Sequence, residues 1–456
     1  MPGQLDQDMQ PAAQWIKQYM HDVRNAGTKA QNIVLGLLRN DVPIVRQTLK
    51  LLPEKYSARN FTYLERHLKS LLWAYGGNRI RLDAPPALCK QLHAYYQNTP
   101  TGIFDAHLIG ENIYGSTLQV ESAKSDQIPA PQVTGQSIGR HLDGCRIGFD
   151  LGGSDRKCAA LIQGEVVFSE EIPWDPYFQK DPQYHFDGIM DSLQRAANHL
   201  PRVDAIGGSA AGVYVDNEVR VASLFRGVAP DVFEKSVRHI FRRVQSACNN
   251  VPFVVINDGE VTALAGAMSL NATALLGISM GTSTAAGYVT PQGYLTNWLN
   301  ELAFVPVDYR PDAPADEWSG DVGCAVQYFS QQGVARLAQQ AGMIFEEDMP
   351  LAERLITVQD RMTRGDAVAA QIYQAIGNAF GHTLAYWSHF YTLEHVLVLG
   401  RVTSGTGGDR LLDQARACLQ SQYPEIAAKI QLHTPDEKMK RHGQAVAAAS
   451  LPAWHN

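Results

Sequence analysis

Apolar residues recur along this chain with two different periods. From Pro11 to about Tyr75 they return every three or four positions, which predicts amphipathic helices. The residues of this pattern are Trp15, Met20, Val23, Ile33, Val34, Leu37, Leu38, Tyr63, Leu64, His67, Leu68 and Leu71. From Cys145 onward, short apolar runs alternate with helical stretches. That alternation is typical of an α/β protein.

The segment between these two regions carries weaker signals. NRIRLDAP predicts a short strand, and Pro86 to Gln97 predicts a helix. A stretch with Gly, Ser and Pro then runs to about Gly139 and predicts a linker or irregular structure. We therefore expect three parts: a mainly helical N-terminal extension with a linker over residues 1–140, a first α/β domain over 141–265 and a second over 266–456.

Composition fits a globular chain. The 456 residues are 45% hydrophobic and 19% charged, as in ordinary globular proteins. Apolar runs stay shorter than the roughly 18 residues of a membrane span, and the start MPGQLDQDMQ does not resemble a secretory signal. We therefore expect a cytoplasmic location and no membrane partner. The six cysteines lie far apart without a CxxC pair, which predicts reduced thiols.

The stretch IGFDLGGSD combines a carboxylate, two glycines and a hydroxyl. Asp150 ends an apolar strand, and Gly152, Gly153 and Ser154 follow in the predicted turn. Glycines permit positive φ and close approach, so their N–H groups can cradle phosphate oxygens. Asp150 could hold Mg²⁺ through water. A hairpin turn that needs glycine for its geometry alone explains this motif equally well.

A second carboxylate follows another buried strand. VPFVVIN ends in Asn257 and Asp258, and an alanine-rich helix begins there. Ligands of α/β sheets bind at this edge, where the strands end. Asp is also a favoured helix N-cap, which is the alternative interpretation of Asp258.

Two further glycine motifs lie nearer the C-terminus. LLGISMGTSTAAGYV places small residues between two apolar runs, and such a turn suits phosphate. VLVLGRVTSGTGGDRLL ends a strand at Gly400 and supplies further glycines before a helix, which predicts a surface for a flat base and ribose. The residues concerned are Gly281, Thr282, Ser283, Gly400, Gly405, Gly407 and Gly408.

The order of DLGGSD, IND, GTSTAAG and LGRVTSGTGG resembles the actin and sugar-kinase superfamily. Within it, the chain resembles the ROK family of bacterial sugar kinases and sugar-responsive repressors over roughly residues 145–450. The resemblance implies two ribonuclease-H-like α/β domains with a cleft between them for ATP, Mg²⁺ and a sugar. We expect five-stranded mixed sheets near residues 143–265 and 266–440, and packing of a last helix, near Gly443 to Ser450, on the first domain.

The resemblance also implies the chemistry and the site. The reaction is ATP-dependent phosphorylation of a sugar or sugar-derivative hydroxyl, a poor nucleophile that needs a carboxylate to accept its proton. No P-loop GxxxxGK[ST] occurs. Asp258 is the implied catalytic base. The implied sugar ligands are Asn257, Asp258 and Glu301. The implied phosphate and nucleotide ligands are Asp150, Gly152, Gly153, Ser154, Gly281, Thr282, Ser283, Gly400, Gly405 and Gly407.

The chain departs from the ROK pattern where a zinc segment is expected. NELAF stands in place of GExGH, so Phe304 replaces the histidine. Ser319 replaces a cysteine, Cys324 alone remains of the zinc ligands, and Val326 replaces a second glutamate. A tetrahedral zinc site needs about four ligands. We therefore expect no zinc, and the lost polar contacts weaken the case for a glucose-like substrate.

A sugar-responsive regulator or a non-catalytic sugar sensor is the alternative function. Residues 42–83 can be drawn as a winged helix-turn-helix with two helices and a one-strand wing. Residues 1–83 carry 12 Lys and Arg against 7 Asp and Glu. This excess is small, so we do not expect a nucleic-acid partner, and a lid or a homodimerisation domain fits the segment equally well. The residues available for DNA phosphates would be Arg46, Lys50, Arg59, Arg66 and Lys69.

Overall fold

The structure is a computed structural model that describes residues 5–132, 138–435 and 443–454. Its contacts form two compact units, and each unit collects separate parts of the chain. Unit 1 takes the described residues of Met1–Thr134, Ile278–Ala286 and Trp298–Leu432. Unit 2 takes those of Gly135–Gly277, Gly287–Asn297 and His433–Asn456. The division into domains at residues 140 and 265 stays a prediction, because compact units need not coincide with domains that fold alone.

The described residues contain both helices and strands throughout. The helices are α1 Ala12–Ala26, α2 Ser57–Tyr75, α3 Pro86–Asn98, α4 Pro100–Asp105, α5 Pro182–Ala197, α6 Pro230–Val232, α7 Ile240–Ala247, α8 Asp258–Ser269, α9 Gln331–Gln340, α10 Leu351–Thr363, α11 Ala367–Trp387, α12 Gly405–Gln422, α13 Pro424–Ala427 and α14 Gln444–Ala449. The strands are β1 Gln31–Arg39, β2 Val42–Leu51, β3 Arg79–Asp83, β4 Gln119–Ser122, β5 Cys145–Leu151, β6 Asp155–Ile162, β7 Glu165–Pro173, β8 Ala205–Ala210, β9 Val213–Val215, β10 Glu218–Val221, β11 Phe253–Asn257, β12 Leu275–Met280, β13 Thr284–Val289, β14 His395–Leu399 and β15 Gln431–His433.

The N-terminal part of unit 1 contains a sheet with the strand order β2-β1-β3-β4. Strands β1 and β2 form an antiparallel hairpin, so the prediction of helix over Ile33 to Leu38 is wrong. Asn40 and Asp41 have φ values of 45° and 72° and connect the paired residues Arg39 and Val42. A two-residue turn with positive φ at both positions joins strands whose twist it matches. The description of residues 1–140 as mainly helical therefore misses a four-stranded sheet.

Other N-terminal predictions have mixed outcomes. Strand β3 and helices α2 and α3 are confirmed. The stretch predicted as irregular contains α4, a π-helical segment Ala106–Ile113 and strand β4, so that prediction is wrong in part. Residues 133–137, within the predicted linker, lie outside the described residues.

Unit 2 is built on a five-stranded mixed sheet with the order β11-β8-β5-β6-β7. Strands β5, β8 and β11 run parallel, whereas β6 and β7 pair antiparallel. Helix α14 packs on β5 and β8 at two glycines. A methyl group on Gly148 would lie 1.8 Å from the Ala445 carbonyl oxygen, and one on Gly207 would lie 1.7 Å from that of Ala448. These glycines let the helix approach the sheet backbone closely.

A further sheet has the order β13-β12-β14-β15. We expected five strands near residues 266–440, and the described part of this sheet has four. Residues 436–442 lie outside the described part of the chain.

Candidate active site

Asp150 lies near the end of the central strand of unit 2. Its register partners are Ser209 on β8 and Lys157 on β6. The residue is 8% exposed. Burial raises the pKa of Asp150 to about 6; the Ser209 hydroxyl and Lys157 oppose this rise, and the nearby Asp258 carboxylate adds to it. The carboxylate of the second predicted motif thus contributes to the raised pKa of Asp150.

Asp258 comes directly after the end of a neighbouring parallel strand. Leu151, Ala210 and Asn257, the last residues of β5, β8 and β11, lie in one register row. Asp258 therefore lies at the carboxyl edge of the sheet, where ligands bind in α/β proteins. Its side chain is half-buried. Burial raises the pKa of Asp258 above its ordinary value, although the Gly259 N–H donates to Oδ1 at 3.0 Å and opposes this rise.

Helix α8 takes its N-cap from Asn257, so the alternative interpretation of Asp258 as the N-cap is wrong. Asn257 Oδ1 accepts from the Gly259 N–H at 2.7 Å. Asn257 Nδ2 donates to the Gly212 carbonyl at 2.7 Å. One amide N–H of Asn257 is left for a substrate, and its role as a sugar ligand stays a prediction.

The loop Gly152–Ser154 joins β5 to β6 in a tight turn. The Gly152 N–H donates to the Asp155 carbonyl at 2.9 Å, and the Trp174 indole N–H donates to the Gly152 carbonyl at 2.8 Å. Neither Gly152 nor Gly153 uses the positive φ that glycine permits. Gly153 instead permits a close approach, because a methyl group there would lie 2.0 Å from the Tyr177 hydroxyl. Ser154 is exposed, as a phosphate ligand must be.

Unit 1 contains the other two glycine motifs and places them together. Gly281, Thr282 and Ser283 connect β12 to β13, and the two hydroxyl-bearing residues are exposed. Gly400 has a φ of 104°, and a methyl group on it would lie 2.4 Å from the carbonyl oxygen of Met280. The segment after β14 therefore packs against the residue that precedes Gly281.

The remaining glycines lie inside the first turn of helix α12, whereas we expected them before the helix. Gly405 is the first residue of the helix, is exposed and has a φ of 68°. Gly407 is buried, and a methyl group on it would lie 2.3 Å from the ring of Tyr373. The exposed surface of this segment is therefore formed by Ser404, Gly405 and Thr406, whereas Gly407 packs against the interior.

Glu301 is half-buried in unit 1 and lies against the end of helix α2. Its N–H donates to the Trp73 carbonyl at 3.0 Å. The ring of Phe304, which replaces the expected histidine, stacks on Trp73 at 4.2 Å between centroids. No local pattern could reveal this pairing because the two partners are far apart in sequence.

Two cations of α2 form ion pairs with the segment that contains Asp321 and Cys324, where no zinc site was expected. Lys69 Nζ lies 2.9 Å from carboxylate oxygens of both Asp105 and Asp321, and Arg66 Nη1 lies 3.1 Å from Asp321. The side chains of Lys69 and Asp105 are fully buried. Burial raises the pKa of the Cys324 thiol, and Lys69 partly opposes this rise. In the described ranges, no group of three or more His, Cys, Asp and Glu side chains could hold a metal ion.

This burial also corrects the DNA-binding interpretation of residues 42–83. The segment folds as β2, α2 and β3, with one long helix where two were drawn. Arg66 and Lys69 are committed to buried ion pairs and are therefore not available for DNA phosphates.

Among the helices of the described residues, none is long and apolar enough to cross a membrane.

Comparison with known proteins shows similarity in the fold. No protein-family model matches the sequence, and no curated protein matches it. The chain is similar to a ROK hexokinase from Thermus thermophilus at 17% identity and a TM-score of 0.53, over 68% of this chain and 97% of the hexokinase. It is also similar to a ROK family glucokinase from Streptomyces griseus, solved with glucose and AMPPNP, at 20% identity and a TM-score of 0.50, over 68% and 99% of the two chains. The chain therefore has a fold of the ROK type.

Proposed function

We propose that this protein is an ATP-dependent sugar kinase with Asp258 as its general base. The observation that carries the proposal is the pair of carboxylates in unit 2. Asp150 and Asp258 lie at the carboxyl edge of the same sheet, and the pKa of each is raised mainly by burial. Carboxyls with perturbed pKa values at such an edge are candidates for proton transfer and cation binding. A ROK-type fold with structural neighbours described as a hexokinase and a glucokinase is consistent with this.

Asp258 would accept the proton of the attacking hydroxyl. The hydroxyl oxygen forms a bond to the γ-phosphorus while the bond from that phosphorus to the β,γ-bridging oxygen breaks, and ADP leaves. The proton moves to a carboxylate oxygen of Asp258. A raised pKa makes this carboxylate a better proton acceptor than an ordinary Asp.

Asp150 would hold Mg²⁺ through water. Its buried carboxylate, next to a second carboxylate, offers the hard oxygen ligands that this cation prefers. The ion would neutralise charge on the phosphates during phosphoryl transfer. The backbone N–H groups of Gly153 and Ser154 would contact phosphate oxygens, whereas the Gly152 N–H and the Ser154 hydroxyl donate to Asp155 within the turn.

The glycine motifs of unit 1 are also proposed nucleotide ligands. Gly281, Thr282 and Ser283 supply small exposed donors, and the start of α12 at Gly405 supplies helix N–H groups next to them. Helix N-termini favour anions because their first N–H groups lack partners within the helix. Gly400 and Gly407 would shape the adenosine surface by close packing.

Asn257, the neighbour of Asp258 in sequence, and Glu301 are the proposed sugar ligands. Phe304 and Val326 are buried apolar residues where polar sugar ligands were expected. We propose an acceptor other than a glucose-like sugar, because a site discriminates strongly by the polar groups it offers. The proposal also includes a cytoplasmic location.

The decisive experiment is a screen for sugar-dependent ADP release with ATP, Mg²⁺ and a panel of sugars. The proposal expects ADP release with at least one sugar for the wild type and its loss for Asp258→Asn. Thermal stabilisation by a sugar without ADP release for any sugar would favour the sensor instead.

A further inference from the structure

Arg226 is stacked on two aromatic rings in unit 2. Its guanidinium carbon lies 4.1 Å from the ring centroid of Tyr177 and 5.0 Å from that of Phe178. The side chain is exposed, and so is Phe178 at 71%. Stacking on aromatic faces restrains a guanidinium group while its edge N–H groups stay free to donate.

The same tyrosine connects Arg226 to the loop Gly152–Ser154. The Tyr177 hydroxyl lies so close to Gly153 that a methyl group there would be 2.0 Å from it. The Trp174 N–H donates to the Ser154 carbonyl at 3.0 Å. Gly227, the residue after Arg226, is also closely packed, because a methyl group on it would lie 2.7 Å from the Gln179 carbonyl oxygen. Arg226 therefore stacks on a residue, Tyr177, that packs against the predicted phosphate loop.

The charge of Arg226 is uncompensated within the described residues. Several arginines of the same unit form ion pairs with carboxylates, for example Arg156 with Asp191 at 2.6 Å and Arg238 with Glu234 at 2.6 Å. Arg226 has no ion-pair partner in the part of the chain that the structure describes. An oriented, unpaired guanidinium beside a turn of small residues is suited to an anion, because its planar fork can donate two parallel hydrogen bonds to phosphate.

We propose that Arg226 binds the terminal phosphoryl group of a nucleoside triphosphate held at Gly152–Ser154. The proposal rests on the kinase function proposed above and adds a ligand to it. Arg226 would distinguish a triphosphate from a diphosphate and would neutralise charge on the group being transferred. Tyr177 acts as a positioning residue that fixes the guanidinium.

The test compares Arg226→Met with the wild type by calorimetric titration of Mg·AMPPNP and Mg·ADP. A charge-assisted hydrogen bond is worth enough for a roughly 10- to 100-fold loss of affinity for the triphosphate analogue. The affinity for ADP should change little. Arg243→Met is the matched control, because Arg243 is also exposed and stacks on Phe186 at 4.7 Å. This control should bind both nucleotides as the wild type does.

A second pair of variants tests the positioning. Tyr177→Leu removes the ring under Arg226 and should lose much of the preference for the triphosphate, whereas Tyr177→Phe should restore it. Equal AMPPNP affinity for Arg226→Met and the wild type, with kinase activity present, would overturn the assignment of Arg226 alone. Failure of the wild type to bind either nucleotide would overturn both this assignment and the kinase function.

Discussion

Lys69 and Asp321 form an ion pair at 2.9 Å that joins helix α2 to the loop before Cys324. The Lys69 side chain has no exposed surface, and Asp105 lies on its other side at the same distance. Burial opposes the charge on Asp321, but Lys69 and Arg66 together hold the pKa of this carboxyl below its ordinary value. The loop before Cys324 is therefore held by cationic side chains of the N-terminal segment.

Replacing Lys69 should therefore destabilise unit 1. Lys69→Met leaves the buried Asp105 carboxylate without its cation and Asp321 with Arg66 alone, and breaking a buried pair typically costs about 3–5 kcal/mol. Urea unfolding should show this loss. Arg59→Met is the control, since the Arg59–Asp22 pair has side chains that are 41% and 30% exposed, and its loss should cost about 1 kcal/mol or less. Similar small effects for both variants would contradict a structural role for the buried pair.

The ion pairs of Lys69 and Arg66 also lead to a prediction about the zinc content of the protein. The purified protein should contain no stoichiometric zinc and should keep its fold in chelator, because Cys324 packs beside Lys69 and has no companion ligands in the expected segment. Elemental analysis and circular dichroism with EDTA check this. Near-unit zinc per chain would disprove it.

Asp258→Asn should lower turnover by roughly 10²-fold or more, because an amide keeps the shape of the carboxylate but cannot accept the hydroxyl proton. Sugar affinity should change little by comparison. Sugar-dependent ADP release and a separate sugar titration measure the two effects. Asp258→Asn with near wild-type turnover would rule out the general base.

Glu301→Gln should change sugar affinity more than turnover. A carboxylate that accepts sugar hydroxyls becomes a weaker amide acceptor, so sugar binding should weaken while turnover at saturating sugar falls less than in Asp258→Asn. Direct sugar titration and steady-state kinetics separate these effects. Unchanged sugar affinity would exclude Glu301 from the sugar site.

Binding of Mg²⁺ should depend on pH through Asp150. Burial raises its pKa from the ordinary value of 3.8 to about 6 in the folded protein. The folded state therefore binds the proton more tightly than the unfolded state, so this group's stabilising contribution is present below about pH 4 and is lost as pH rises through 6. Conversely, the ionised form that holds Mg²⁺ is lost as pH falls below 6.

Titrations of the sugar-free protein with Mg²⁺ and nucleotide at pH 5 to 8 measure this effect. Affinity should fall on the acid side with a midpoint near pH 6, or lower where bound cation favours the ionised carboxyl. Asp150→Asn should remove the midpoint along with most of the Mg²⁺ dependence. A flat profile in the wild type would show that Asp150 does not titrate in this range.

The sequence patterns predicted the sheet of unit 2 well because each strand is short and bounded by turn residues. Strands β5 and β11 lie where IGFDLGGSD and VPFVVIN predicted them. The N-terminal hairpin was missed because IVLGLLR also fits helical spacing by chance. Asn40 and Asp41, which favour a tight turn, were the signal that could have separated the two interpretations.

The ionic and aromatic contacts of α2 could not be predicted. Arg66 and Asp321 are 255 residues apart in sequence, and a buried Lys is rare unless it is paired. Lys69 and Arg66 therefore fitted an exposed basic surface. Folding brings these cations next to their carboxylate partners, which are distant in sequence. The sequence alone could therefore not show that the cations pair with the segment around Cys324.

The late position of helix α14 in the sequence has a consequence for folding during synthesis. The five-stranded sheet of unit 2 is complete at Asn257, but the helix that covers Gly148 and Gly207 begins at Gln444. At roughly 5–20 residues per second, a ribosome needs on the order of ten seconds or more to make the intervening chain. During that interval the bare glycine backbone of the nascent sheet is open to any other helix or strand. Unit 2 therefore depends on a segment made long after its strands, and a ribosome stalled before residue 444 would leave a sheet that lacks its cover.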